Sequence, residues 1–367
     1  MKRRVLFVGR GRLSLPLAPW LAKKWDALGE VFDFRVLNAG TGSGDSRFRV
    51  LPDDAFAFYS KLVVEINREL RAGPVDAIIA SDPYIGAAAL TGRRLARIRP
   101  RVIVEVHGDP RTFTRGYGSP ARRFLSPLTD AVARYGLRHA DATRGLSAFT
   151  SSLIEEVRGL PATACFPTYS DLSAFADPPL TPVPVERRVV FVAALEQYKN
   201  VEGLAAAWRR LGHEVPDATL VVVGKGSRRE VIERLVADMP GRVEHYPELL
   251  PQEVAREIDR SRALILPSWP EGLGRVVLEA FARGRTAVAT NAGGIRDIVT
   301  DGLDGILIPV ADTDALVEGM RRVLEDRDLA ARLGAAAHKS YPPWHQTAED
   351  FARSYAELVE RALDGAR

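Results

Sequence analysis

The densest chemistry in this 367-residue chain lies in residues 264–299, LILPSWPEGLGRVVLEAFARGRTAVATNAGGIRDIV, where Glu271 and Glu279 stand eight positions apart among glycines. An apolar run ends at Pro267, a loop carries Glu271-Gly272-Leu273-Gly274, and a helical period follows until Gly284. Amides in the first turn of a helix have no intrahelical partner, and glycines let a ligand reach the main chain, so this loop reads as an anion site. Glu279 is the only charged residue between Val276 and Ala282, which makes its carboxylate costly to bury unless something donates to it. A ligand with two hydroxyls would do so, and for an isolated pair the ordinary alternative is Arg283 at i+4. A second cluster, His107-Gly108-Asp109, follows the apolar run at 102–106. Taken alone such a histidine is commonly structural, but the C-terminal end of a parallel strand is where open α/β sheets bind ligands.

The elements that must position these residues alternate along the whole chain, short apolar runs with longer amphipathic segments, a rhythm that predicts parallel sheets with crossover helices. Strands are expected at 4–8, 31–37, 77–80, 102–106, 142–146 and 164–166, then again at 188–192, 219–223, 243–246, 263–267, 286–290 and 305–308. Between the two series lies DPPLTPVPVE, residues 177–186, with four prolines in ten positions and no helical period. It is expected to be an extended linker between a domain at 1–176 and a domain at 187–343, its ends acting as hinges. Residues 344–367 put Trp344, Ala348, Phe351, Tyr355, Leu358, Val359 and Ala362 on one helical stripe, which must pack on a domain surface.

Composition narrows the class. Forty-six per cent hydrophobic and 27% charged residues, with ordinary Gly and Pro content, exclude a disordered or fibrous chain and suit two globular domains. The single cysteine, Cys165, excludes an internal disulfide and reads as a small buried residue at a strand end. No apolar run approaches membrane-spanning length and none after Met1 resembles a signal-peptide core, so a cytoplasmic location is expected. Residues 1–180 carry 26 Lys and Arg against 18 Asp and Glu, whereas residues 181–367 carry 25 against 29. Only the first half would attract anions at long range. With LPLAPWLAKKW at 15–25, that excess suits peripheral contact with an anionic membrane at its inner face, or an anionic acceptor. Nucleic acid is not expected as a partner, because the basic residues are scattered and no reader motif accompanies them.

The composite of PS-x-x-EG-x-G, E-x(7)-E and the following Asn291-Ala292-Gly293-Gly294 resembles the donor-site signature of the retaining glycosyltransferases of family four, the glycosyl transferases group one. The resemblance covers almost the whole chain, tightly over 263–309 and loosely before residue 177. FVAALEQYKNVEGL, 191–204, is similar to the family's first C-domain strand and loop, which makes Lys199 the diphosphate lysine, and VVVGKGS, 221–227, matches the next strand and its glycine turn at Gly224. VIVEVHGDP ends as the family does where the transferred sugar sits, and PTYSDLSAF at 167–175 has the spacing of the segment before the domain crossover. The resemblance implies a GT-B fold: two Rossmann-like parallel-sheet domains facing across a cleft that closes on the donor, with the last helix returning to the first domain. Three positions depart from the pattern. Ala194 replaces an arginine, Pro247 replaces a glycine after the third C-domain strand, and Gly9-Arg10-Gly11-Arg12 replaces paired glycines after the first strand, leaving a glycine-rich loop whose arginines could restore the charge.

The implied reaction transfers a hexosyl group from a nucleoside-diphosphate sugar to a hydroxyl of a glycan, lipid-linked or small-molecule acceptor, with retention of configuration. Lys199 and the loop of Gly272, Leu273 and Gly274 would hold the leaving diphosphate, so that neither a metal nor another cofactor is required. Glu279 would hold the ribose, Glu271 would face the sugar, Gly9, Gly11 and Gly224 would line the donor, His107 would contact the sugar's 6-hydroxyl and Asp109 would position the acceptor. Asp312-Thr313-Asp314 has the spacing of a metal-binding pair but reads better as a helix N-cap. Two other readings stand beside this one. One is a degenerate GT-B protein that binds without transfer. The other is a nicotinamide-dependent oxidoreductase, suggested by Gly9-x-Gly11, although Ser14 stands at the third glycine position and no acid follows the second strand.

Overall fold

In the computed structural model, which describes residues 2–109, 111, 124 and 126–365, the apolar runs pair into two all-parallel sheets. The first contains β1 (Arg3–Ser14), β2 (Phe32–Thr41), β3 (Phe48–Leu51), β4 (Ala77–Ala80), β5 (Arg101–Val106), β6 (Ala142–Gly145) and β7 (Ala164–Cys165), in the order β3-β2-β1-β4-β5-β6-β7. The second contains β8 (Arg188–Val192), β9 (Thr219–Val223), β10 (Val243–Tyr246), β11 (Ala263–Leu266), β12 (Thr286–Thr290) and β13 (Gly305–Ile308), in the order β10-β9-β8-β11-β12-β13. In each sheet the winding reverses beside the first strand, between β1 and β4 and between β8 and β11. A doubly wound sheet opens its ligand crevice there.

Alternation along β1 shows how the first core is built. Val5 and Phe7 point to one face, among Trp25, Phe34, Phe351 and Tyr355, while Leu6 and Val8 point to the other, among Phe58, Leu62 and Ile66. The last helix, Ala348–Asp364, is part of the first of those clusters: Phe351, Tyr355, Leu358 and Val359 are buried, and Thr347 caps its start by accepting from the Asp350 amide at 3.1 Å. The expected stripe therefore packs on the first domain from Ala348 onward. Trp344 does not belong to it; it lies in a short 3-10 turn and packs among residues of the second sheet.

The chain divides into one unit of Met1–Asp171 with Gln346–Arg367 and another of Leu172–His345. The proline-rich stretch 177–186 lies in the second unit rather than between the two. Its carbonyls are taken by arginines, two of them buried: Arg283 donates to Pro178 and Pro179 at 2.7 and 2.8 Å and Arg285 to Thr181 and Pro182 at 3.0 and 3.1 Å, while the exposed Arg327 donates to Val183 at 2.9 Å. Prolines supply carbonyls but no amides, so guanidinium groups are the natural partners for such a strap. A stretch tied at this many points is not the free hinge expected of it.

Four further expectations change. β1 continues to Ser14 through an irregularity in register between Gly9 and Leu13, so residues 9–12 bulge within a strand rather than forming a loop. The dinucleotide reading of Gly9-x-Gly11 loses its strand–turn–helix context, since the first helix begins only at Pro19. β3 escaped the sequence reading because FRVL has only three apolar residues, yet Phe48 closes an aromatic cluster with Trp25 and Phe34. Cys165 ends β7 as expected but is exposed, because β7 is the edge of its sheet. Among the described residues no helix is long and apolar enough to cross a membrane.

Candidate active site

In the second unit the residues singled out by spacing converge beside the β8/β11 reversal. Lys199 closes a 3-10 turn after β8, and its ammonium lies 2.7 Å from Glu271 Oε2, the lysine side chain being 10% exposed and the glutamate 14%. Glu271 Oε1 is buried and has no hydrogen-bond partner among the described residues. The loop that carries Glu271 is held by main chain. Gly294 N–H donates to the Glu271 carbonyl at 2.8 Å, and a Cβ on Gly293 would lie 2.3 Å from that same oxygen while Gly293 has φ +63°. The paired glycines after β12 therefore exist so that one loop can lie backbone to backbone on the other.

Gly274 follows at φ +82° and is the N-cap of helix Arg275–Ala282. A glycine cap offers no side chain to the first-turn amides; Val277 N–H donates to the Gly274 carbonyl at 2.9 Å, which leaves those of Arg275 and Val276 for a ligand at the positive end of the helix. Gly272 and Leu273 are buried beside it. Glu279 is buried too, and its partner is Arg275 one turn earlier, at 3.1 Å, rather than Arg283. Arg283 is committed to Asp259 at 2.8 Å and to the strap. Burial raises the Glu279 carboxyl above its ordinary range while Arg275 works against that. Gly224 has a packing reason: a Cβ there would sit 1.9 Å from the Ala193 carbonyl, so glycine lets the turn after β9 close on the segment leading to Lys199. Ala194, where the resemblance expects arginine, is exposed. Asp312 caps helix Thr313–Glu325 by accepting from Ala315 N at 2.9 Å, the role expected from sequence.

In the first unit, His107 lies just past β5 with its side chain 41% exposed, and its Nε2 is 3.0 Å from Glu105 Oε2. Glu105 is buried, and its other oxygen receives Arg144 Nη1 at 2.6 Å and the Tyr355 hydroxyl. Burial by itself would raise this carboxyl, but Arg144, His107 and Tyr355 together hold it far below the usual carboxylate range. Arg144 is fully buried; it donates to the carbonyls of Phe166 and Pro167 at 3.0 and 2.8 Å and lies 4.0 Å over the Phe166 ring. Asp109 is bound by Arg111, through its amide at 2.9 Å and its guanidinium at 3.0 Å, so the acceptor-positioning role expected of it competes with this pair. Gly9 and Gly11 stand in β1; a Cβ on Gly11 would meet nothing within 4 Å, while the Gly11 carbonyl accepts from the Asn38 side-chain amide.

Of the residues singled out by spacing, Lys199 meets Glu271 and Glu279 meets Arg275, whereas Glu105 and Arg144 were not singled out and Tyr355 only as part of an apolar stripe. One signal was available: Glu105 in VIVEV and Arg144 in ATRG are opposite charges inside two neighbouring strands whose other residues are mostly buried. Charges at such positions must find each other.

Comparison with known proteins agrees with the architecture. Residues 179–340 match the family model described as glycosyl transferases group 1, and residues 17–167 match a glycosyl transferase 4-like domain. The sucrose-phosphate synthase of Thermosynechococcus elongatus superposes with a TM-score of 0.78 over 100% of both chains at 18% identity. The chain thus has the GT-B fold, and each half carries a glycosyltransferase signature. Among sequence relatives, the D-inositol 3-phosphate glycosyltransferase of Nocardia farcinica is 29% identical over 48% of this chain and 42% of its own. The GDP-mannose-dependent alpha-(1-6)-phosphatidylinositol monomannoside mannosyltransferase of Mycolicibacterium smegmatis is 30% identical over 58% of this chain and 62% of its own. The first curated relatives are thus matched over about half of their length or less.

Proposed function

We propose that the protein is a retaining, metal-independent glycosyltransferase that moves a hexosyl group from a nucleoside-diphosphate sugar to a hydroxyl acceptor. The observation that carries this reading is the Lys199–Glu271 pair beside the uncapped start of helix Arg275–Ala282. The pair exchanges partners when donor binds. The diphosphate takes the ammonium and the first-turn amides, which stabilise the charge that develops as the anomeric C–O bond breaks. Glu271, released, accepts hydroxyls of the sugar, and its unpartnered Oε1 gains a donor. Glu279, already buried with Arg275, accepts the ribose diol. His107 addresses the transferred sugar, as the resemblance implies.

The two glutamates separate in a kinetic test. Glu279→Gln weakens nucleoside diphosphate binding by about tenfold, the value of one hydrogen bond to a charged group. Glu271→Ala lowers turnover and leaves nucleoside diphosphate affinity unchanged or raised, since it removes a competitor for Lys199. Equal nucleotide affinity in the native protein and Glu279→Ala would refute the assignment. Activity persists in excess EDTA; loss in EDTA with recovery on adding manganese or magnesium would refute metal independence. Ala194 favours one other reading, a GT-B protein that binds nucleotide sugar without transferring it, and saturable binding with no turnover on any donor would select it.

The acceptor is a glycan, a lipid-linked glycan or a small molecule, and the basic first half favours an anionic one. The sequence stretch offered for membrane contact is partly spent within its own unit. Lys23 pairs with Asp171 at 2.7 Å and Lys24 lies 4.6 Å over the Trp25 ring, while Trp20 is 48% exposed. Peripheral contact then rests on Trp20 and the net charge, and flotation with anionic and neutral liposomes at low salt tests it: binding to neither rejects it.

A further inference from the structure

We infer that Glu105, Arg144 and Tyr355 are positioning residues for His107, a buried carboxylate locked by an arginine and by a tyrosine of the last helix so that it fixes the tautomer of the imidazole. Glu105 stands near the end of β5 and His107 follows two positions later, just past the strand, close enough for the two side chains to meet at 3.0 Å. Glu105 divides its oxygens: Oε1 takes Arg144 and Tyr355, and Oε2 is kept for His107 Nε2 at 3.0 Å. A carboxylate serving only as the counter-ion of Arg144 would turn both oxygens to the guanidinium, the stronger bidentate arrangement. Arg144 instead spends Nη2 on the carbonyls of Phe166 and Pro167, which fixes the guanidinium from behind. Tyr355 is held by its ring, edge-on to Phe166 and Phe351 at 5.3 and 4.9 Å, so its hydroxyl has one place to go. A buried ion pair is a poor device for stability alone.

The chemical consequence follows from the donor inventory of histidine. An anionic oxygen at Nε2 requires a proton there, so the neutral ring presents Nδ1 as a lone pair. No described residue bonds Nδ1. His107 is therefore an acceptor toward a ligand hydroxyl at Nδ1, and its orientation depends on a residue 250 positions further along the chain from Glu105. The role in turnover rests on the transfer reading above; the tautomer does not.

Long-range proton–nitrogen correlation spectra of 15N-histidine-labelled full-length protein at mildly alkaline pH test it, with His107→Gln assigning the ring. The native protein shows the Nε2–H tautomer. Glu105→Gln and Tyr355→Phe shift the population toward Nδ1–H, the first more than the second, and Tyr355→Phe keeps the ring packing should Glu105→Gln fail to fold. On the donor identified for the enzyme, Glu105→Gln lowers kcat at least tenfold, Tyr355→Phe lowers it severalfold, and nucleoside diphosphate affinity stays within twofold. An Nδ1–H tautomer in the native protein, or one unmoved in both variants, overturns the inference. A shifted tautomer without turnover on any donor keeps the inference and counts against transfer.

Discussion

Beside the β8/β11 reversal the candidate site residues are held by main chain: glycines 293 and 294 lie on the carbonyls of Glu271 and Gly272, and Gly274 turns the helix start toward the loop. Past the C-terminal end of β5 His107 is held by side chains, a carboxylate, a guanidinium and a phenol drawn from two neighbouring strands and the last helix. A main-chain cradle needs glycine at fixed positions in a short stretch, whereas a side-chain network needs only complementary groups, which the fold can bring from anywhere. The first arrangement leaves a motif and the second does not.

That contrast makes the expected damage different in kind. Arg144→Met leaves the Glu105 carboxylate buried beside its remaining partners and costs about 3–5 kcal/mol, the range for breaking a buried pair. At roughly 2–4 °C per kcal/mol, thermal unfolding drops by some 10 °C. A melting temperature within 2 °C of native would show that the network is looser than drawn. Lys199→Ala has its largest effect on chemistry: turnover falls by about 10²–10³-fold, the usual loss for one donor to developing negative charge. Its tautomer spectrum at His107 is unchanged, which keeps the two strand ends independent.

Gly293→Ala sharpens the main-chain half. A φ of +63° and a Cβ 2.3 Å from the Glu271 carbonyl force the loops apart, with a cost of about 1–3 kcal/mol. Turnover falls with it, because Glu271 moves. Full activity in this variant would mean that the glycine pair does not set the loop.

The smallest effect concerns Lys24, whose ammonium burial lowers to about 8 as it lies over Trp25 and Phe351. Below about pH 8 both folded and unfolded chains hold the proton, and the folded state carries the burial cost. Between that value and the ordinary lysine range the unfolded chain binds more protons, so stability rises with pH. Lys24→Met escapes the cost, gains about 1 kcal/mol near pH 7, and loses that advantage by pH 10, which thermal unfolding at the two pH values checks. An advantage that does not change with pH would mean that the ammonium is solvated.

The same contrast explains what could be read beforehand. The strands at 188–192, 219–223, 243–246, 286–290 and 305–308 have the bounds that apolar runs suggest, because each is short, buried and closed by a turn residue. The apolar run of β1 ends at Val8, and Gly9-Arg10-Gly11-Arg12 has the composition of a loop; only pairing with β2 keeps it extended. The proline-rich stretch 177–186 reads as a linker from composition alone, and the arginines that strap it, 283, 285 and 327, lie a hundred or more positions away. Glu105 and Arg144 show in the sequence only as lone charges inside buried strands and Tyr355 only as part of an apolar stripe, their partnership being set by the fold, whereas Lys199 and Glu271 each stand in a recognisable local segment.

The most direct test of the account is release of nucleoside diphosphate from a panel of nucleotide sugars, measured in EDTA with native protein and Lys199→Ala side by side. The account predicts that one donor is turned over by the native protein and about a hundredfold or more slower by the variant, with the metal chelator making no difference. Equal rates in the two proteins, or release that appears only when a divalent metal is restored, would contradict it.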